Sequence, residues 1–168
     1  MNKKLLDWCL EKGRSDKRKH RGLRIIEKNI EESKDYLKKA EHNLLFAERV
    51  RELKDFDDWI FPICFYSMYH ACLAALSFFG YESRNQECTF LVMEKLIEEG
   101  KLNLSIQDIE SIRKMGKSVE NDMKTLREEF QYGTKVKAEK DLVDNTIRTA
   151  NDFVKKVKGL LLSLFGEI

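Results

Sequence analysis

The feature that most constrains the fold is an uncharged apolar segment at residues 59–80, WIFPICFYSMYHACLAALSFFG, in a chain of which 36% is charged. It has roughly the 20 residues that an α-helix needs to cross a bilayer. It also contains Pro62, Ser67, His70 and Ser77, and its neighbours are amphipathic segments that need an apolar element to pack against. We therefore predict a central helix surrounded by other helices, with no part of the protein in a membrane.

The segments around this central helix show helical periodicity. Residues 23–53 contain no glycine or proline, and apolar or small residues recur there at alternating spacings of four and three, at positions 26, 30, 33, 37, 40, 44 and 47. This pattern predicts one long amphipathic helix from residue 23 to about residue 53. Ser83 and Gln86 have the spacing of a capping box that opens a helix ending near Gly100. Two further helices are predicted over about 106–131, stopped by Gly133, and about 138–165.

Composition agrees with a helical fold. The 168 residues include only eight glycines and one proline, and no alternating strand pattern is visible. We predict an all-α protein, built as an up-and-down bundle of four to five main helices with a short N-terminal helical appendage. The predicted division is residues 1–24 for the N-terminal helix and basic segment, and residues 25–168 for the bundle.

The basic segment is residues 12–24, KGRSDKRKHRGLR, with seven Lys or Arg residues against one acid. The net charge of the chain is only +2, so a nucleic-acid interface would have to be local. Two interpretations stay open: a solvated run of like charges, or an arm that contacts phosphates. The residues of such an arm would be Lys17, Arg18, Lys19 and Arg21.

The four cysteines, Cys9, Cys64, Cys72 and Cys88, form no C-x-x-C pair. We therefore predict unpaired thiols, no metal site and no cofactor. The first 13 residues have too short an apolar run for a signal peptide, so we also predict a cytoplasmic protein.

His70 lies in the middle of the apolar segment, four residues after Tyr66 and three after Ser67, which places the three side chains on one strip of a helix. In one interpretation the imidazole is buried and hydrogen-bonded within that strip. In the other, the strip lines a cleft that also contains Arg127 and Tyr132.

The order of several motifs resembles the HEPN superfamily of small helical domains. The likeness covers about residues 30–155, and it rests on KAEHNLLFAERV, then DDWIFPICFYSMYHACLAALSFFGYESRNQECTF, then EEGKL, and finally LREEFQYG. The resemblance implies a dimer-forming helical bundle, often the partner of a minimal nucleotidyltransferase in a toxin–antitoxin or defence pair. We likewise expect a homodimer, because the central helix and the C-terminal LLLSLFGEI offer more apolar surface than a small bundle needs to bury.

Many proteins that this chain resembles are metal-independent endoribonucleases with an arginine followed, after four to six residues, by a histidine. An arginine fork can hold the scissile phosphate, and a histidine can act as acid or base near neutral pH. The matching positions here are Arg127 and Tyr132, so a tyrosine stands in place of the histidine. Tyrosine, with an ordinary pKa of about 10, is a poor general base at pH 7.

Two candidate functions follow from the resemblance and from the tyrosine that stands in place of the histidine. The first is a binding and assembly module that partners a nucleotidyltransferase and binds nucleotide or RNA, with Arg127 and the basic segment as contacts. The alternative is an endoribonuclease with a non-standard active site, for which the candidate catalytic residues are Arg127, Tyr132 and His70.

Overall fold

The computed structural model describes residues 3–14, 21–113, 123–134 and 136–166. Within these ranges the chain forms seven helices and two short strands. In chain order they are α1 (Lys3–Arg14), β1 (Leu23–Ile25), α2 (Ile30–Leu53), α3 (Asp57–Phe78), β2 (Tyr81–Ser83), α4 (Gln86–Glu98), α5 (Ile106–Arg113), α6 (Met123–Tyr132) and α7 (Lys140–Phe165). The predicted all-α class is confirmed at this level, since nearly all regular structure is helical.

Helix α3 is the centre of the molecule, and α2, α4, α6 and α7 all pack against it. By length and composition alone α3 could cross a membrane, but 78% of its most apolar 18-residue window is buried inside the bundle. A helix surrounded by other helices has no polar face to present to water. Packing against its neighbours therefore accounts for the apolar composition of residues 59–80.

The contact between α2 and α3 explains the serines in the apolar segment. Ser67 Oγ donates a 2.6 Å hydrogen bond to the carbonyl of Ala40, and Ser33 Oγ donates a 2.7 Å bond to the carbonyl of Ala74. All four residues are fully buried. Small side chains allow the two helices to approach closely, and each buried hydroxyl is satisfied by a backbone carbonyl of the facing helix.

Two strands interrupt the predicted helical pattern. Residues 23–25 were expected to open the long helix, but they pair antiparallel with β2, with Leu23 opposite Ser83 and Ile25 opposite Tyr81. Helix α2 begins later, at Ile30, where the Asn29 side chain accepts a hydrogen bond from the Glu32 amide. Strands of three residues are too short to show an alternating pattern, which is why the sequence did not indicate them.

The N-terminal helix α1 is fixed to the bundle by a disulfide. Cys9 is bonded to Cys88 in α4, and both residues are fully buried. The prediction of four unpaired thiols is therefore wrong for this pair, while Cys64 and Cys72 are free and buried. The predicted boundary between residues 24 and 25 falls inside β1.

Close backbone contact also holds α1 on β1. A Cβ atom at Gly13 would lie 1.9 Å from the carbonyl oxygen of Leu23, so only glycine fits there. The Gly13 carbonyl also accepts a 2.8 Å hydrogen bond from Arg24 Nε. Helix α1 is thus packed and hydrogen-bonded against the rest of the protein.

Some predicted helix ends are confirmed and others corrected. Helix α6 ends at Tyr132, and the Gly133 amide donates to the carbonyl of Glu129, as expected for a C-terminal glycine. The cap of α4 is Asn85, whose side chain accepts from the Cys88 amide; Ser83 lies in β2, so the predicted capping box is wrong. Residues 114–122 of the predicted helix over 106–131 lie outside the described residues.

Candidate functional site

The candidate site lies where α6 packs against α3, and Arg127 is at its centre. Arg127 is only 6% exposed. Its Cζ atom lies 4.6 Å from the ring centre of Phe65 and 5.8 Å from that of Tyr66. Such contacts between a cation and aromatic rings are favourable and are stronger when water is excluded. Arg127 is therefore a buried residue of the bundle rather than a solvated surface arginine.

In the part of the chain that the structure describes, the hydrogen bonds of Arg127 use only part of its donor capacity. Nη2 lies 3.2 Å from a carboxylate oxygen of Glu128, and Nη1 lies 3.5 Å from the hydroxyl of Tyr66. Nε is buried and, among the described residues, has no hydrogen-bond partner. One helical turn later, Oε1 of Gln131 is also buried without a partner in the described part of the chain. Buried polar atoms are seldom left unpaired, because each one costs about 1–3 kcal/mol.

Tyr132 is not brought to Arg127 within one chain. Its side chain is 72% exposed, whereas Arg127 is almost completely buried. Residues five apart on a helix are separated by about 140° around its axis, so the two side chains point in different directions. Arg127 and Tyr132 therefore do not line one cleft within a single chain, as the second interpretation of the sequence required.

His70 lies on the side of α3 that faces α2. Its Nδ1 atom is 2.6 Å from the carbonyl oxygen of Tyr66. A carbonyl only accepts hydrogen bonds, so this contact requires the proton on Nδ1. The amide nitrogen of Asn43, itself a donor, lies farther away, 3.3 Å from the same Nδ1 atom, and can bond to it only in the other tautomer. The ring also stacks on Tyr36 at a centroid distance of 6.2 Å. A shallow cleft of about 220 Å³ opens beside it, lined by Glu32, Asp35, Tyr36, Lys39 and His70.

Tyr66 contacts both Arg127 and His70. Its hydroxyl lies 3.5 Å from Nη1 of Arg127 in α6, and its carbonyl accepts a hydrogen bond from His70 in α3. Sequence reasoning included Tyr66 only as a member of the polar strip. It missed Gln131, for which the available signal was its spacing of four residues from Arg127, which places both on one helical face.

The pKa of His70 gives a testable pH dependence. Burial lowers the pKa of His70 from its ordinary value of 6.5, against the opposing effect of the hydrogen bond to the Tyr66 carbonyl. The unfolded chain then binds more protons than the folded chain, so stability contributed by neutral His70 is present above about pH 6.5 and decreases as the pH falls through the folded-state pKa. We expect His70→Gln to reduce the loss of thermal stability between pH 7.5 and pH 5.

Thermal unfolding of both proteins across that pH range measures this difference. Other groups titrate over the same range, so the quantity to compare is the slope of thermal stability against pH in the wild type and in the variant. Equal slopes would show that His70 does not change its proton affinity on folding.

Of the four residues predicted to form the basic arm, the structure describes only Arg21. Lys17, Arg18 and Lys19 lie outside the described residues, and Arg21 is exposed just before Gly22. The role of the arm stays a prediction.

Among the described residues, no group of three or more His, Cys, Asp or Glu side chains is placed to hold a metal ion. The chain matches no protein-family model and no curated protein sequence.

Proposed function

We propose that this protein is a HEPN-like helical dimer that acts as a binding and assembly module and binds a nucleotide or RNA through Arg127. The observation that carries the proposal is the buried guanidinium, whose Nε atom has no hydrogen-bond partner among the described residues. The order of the sequence motifs supports the HEPN-like bundle, the homodimer and the nucleotidyltransferase partner. The proposed cytoplasmic location rests on the short apolar run of the first 13 residues alone, because the Cys9–Cys88 disulfide removes the argument from unpaired thiols.

The chemistry of the Arg127 environment suits a phosphate group. The guanidinium is planar and always charged, and two of its edges can each offer a pair of N–H donors to an oxyanion. The rings of Phe65 and Tyr66 hold that plane in place. A fixed donor group in a site with little water binds an anion more strongly than a mobile surface lysine does.

The contact with Glu128 fits the same proposal. Glu128 is 48% exposed at its side chain, so its carboxylate can turn into solvent when a phosphate takes its place at Nη2. Because the arginine of this pair is buried, breaking the pair without a replacement would leave a buried charge unpaired, so the exchange requires the phosphate to take over the contact at Nη2. Glu128 would therefore neutralise Arg127 in the free protein and yield to a ligand.

We expect Arg127→Ala to weaken binding of single-stranded RNA or nucleotide by at least about tenfold at moderate salt, because a charge-assisted contact is lost. Arg127→Lys should also bind weakly, since it keeps the charge but loses the planar fork. Neutralising Lys17, Arg18, Lys19 and Arg21 together should mainly reduce the salt dependence of binding. Isotherms at two salt concentrations measure both effects.

Circular dichroism and sedimentation of each variant provide the folding control for this experiment. Unchanged affinity in a folded Arg127→Ala variant would contradict the phosphate-site proposal. Metal-independent RNA cleavage by the wild type, lost in His70→Ala or Tyr132→Phe, would replace the binding module by the endoribonuclease alternative.

A further inference from the structure

Five large apolar side chains are exposed at one end of the bundle. They are between 50% and 72% exposed, and they come from the end of α2, the turn that follows it, the first turn of α3, the end of α6 and the connection after α6. This surface, called the end patch here, comprises Leu53, Phe56, Trp59, Tyr132 and Val136.

Contacts among neighbouring residues show that these segments meet at the same end. The amide of Ala138 donates a 3.4 Å hydrogen bond to Asp57, and Lys137 lies 4.0 Å from Asp55. The rings of Phe61 and Phe130 stack at 4.0 Å, which brings the start of α3 beside the end of α6. The turn between α2 and α3 and the connection between α6 and α7 therefore form one surface.

The area of the end patch fits a protein interface. An aromatic side chain carries roughly 150–250 Å² of surface, so three half-exposed aromatic residues and two aliphatic ones expose on the order of 500 Å². This is at the upper end of what a monomeric protein leaves in water. With a polar rim, it approaches the roughly 800 Å² per partner of a standard interface.

The charges around the end patch point to the kind of partner. Lys54 and Lys137 carry positive charge there, and Asp55, Asp57 and Asp58 carry negative charge. A two-fold axis places a surface against itself, so a rim with both signs can pair with its own copy. Three carboxylates beside the apolar residues oppose an anionic lipid surface.

We infer that the end patch is the surface on which a second copy of this chain binds. The inference rests on the homodimer in the proposed function and names its interface. The sequence expectation placed the dimer contact on the central helix and on the C-terminal LLLSLFGEI. The end patch keeps Trp59 of the central helix and leaves out the C-terminal segment, where Leu162 is 52% exposed but Leu161 is fully buried and Phe165 packs on Phe78 at a ring distance of 5.4 Å.

The test is a double variant, Phe56→Asp with Trp59→Asp, studied by sedimentation over a range of micromolar concentrations. The wild type should sediment at twice the 19.8 kDa chain mass. The variant should sediment as a monomer, with a dissociation constant raised at least about 30-fold, as for the loss of an interface hot spot. Its helical content should be unchanged, because both side chains are exposed by half or more.

The matched control is Ile25→Asp, which removes a side chain that is 72% exposed on β1, beyond the other end of α3. This control should remain a dimer. A double variant that stays dimeric would overturn the end patch as the interface while leaving the homodimer in place.

Two other results would also overturn the inference. One is a monomeric wild type, which contradicts the homodimer of the proposed function as well; RNA binding that depends on Arg127 would then show whether the ligand part survives. The other is flotation of the wild type with phosphatidylserine vesicles that is lost in the double variant, because it would assign the end patch to a membrane surface.

Discussion

Replacing Leu76 by aspartate is expected to remove a large part of the free energy of unfolding of the protein. Leu76 is 1% exposed within the central helix α3. Burying a carboxylate without a partner, together with losing a core side chain, costs more than about 4 kcal/mol, and natural domains are stable by only about 5–15 kcal/mol. Urea unfolding followed by circular dichroism measures the loss.

The matched control for this experiment is Leu45→Asp, because Leu45 is 55% exposed on α2. Its stability should stay within about 0.5 kcal/mol of the wild type. Leu73→Asp should fall between the two, since Leu73 is only partly buried. If Leu76→Asp unfolded at the same urea concentration as the wild type, α3 would not be the centre of the core.

Removing the disulfide by Cys88→Ala is expected to lower the free energy of unfolding by about 2–4 kcal/mol. The bond joins residues 79 positions apart, so it restricts a large loop in the unfolded chain. Urea unfolding should show this loss in the variant, and dithiothreitol should cause a similar loss in the wild type. Dithiothreitol should have no further effect on Cys88→Ala.

Thiol counting gives an independent check of the pairing. Burial raises the pKa of Cys64 to about 12 and that of Cys72 further still, so neither should react readily with alkylating reagents in the folded protein. Denatured without reductant, the protein should expose two reactive thiols, and four after reduction. An alkylating reagent added as the cells are lysed would trap the thiols in the state that they have in the cell. A count of four thiols in that protein would contradict the disulfide and support the predicted reducing cytoplasm.

The sequence by itself determined the helical class, the central place of residues 59–80 and the end of α6 at Gly133. These features depend on local causes. A long uncharged run must be covered by other segments, and a period near 3.6 residues places apolar side chains on one face. The glycine after α6 leaves room beside the Glu129 carbonyl oxygen, from which a Cβ atom at Gly133 would lie only 2.1 Å. Each of them can be recognised from neighbours a few positions away.

The tertiary structure decided the features that depend on residues far apart in the chain. Spacing does not reveal which cysteines pair, so the bond between Cys9 and Cys88 could not be predicted. Strand β1 exists because β2, nearly 60 positions later, supplies its hydrogen bonds. Arg127 is buried because the rings of Phe65 and Tyr66 come from another helix. The physical reason is the same in each case: burial and pairing depend on which surfaces meet, and a local pattern does not specify its partner.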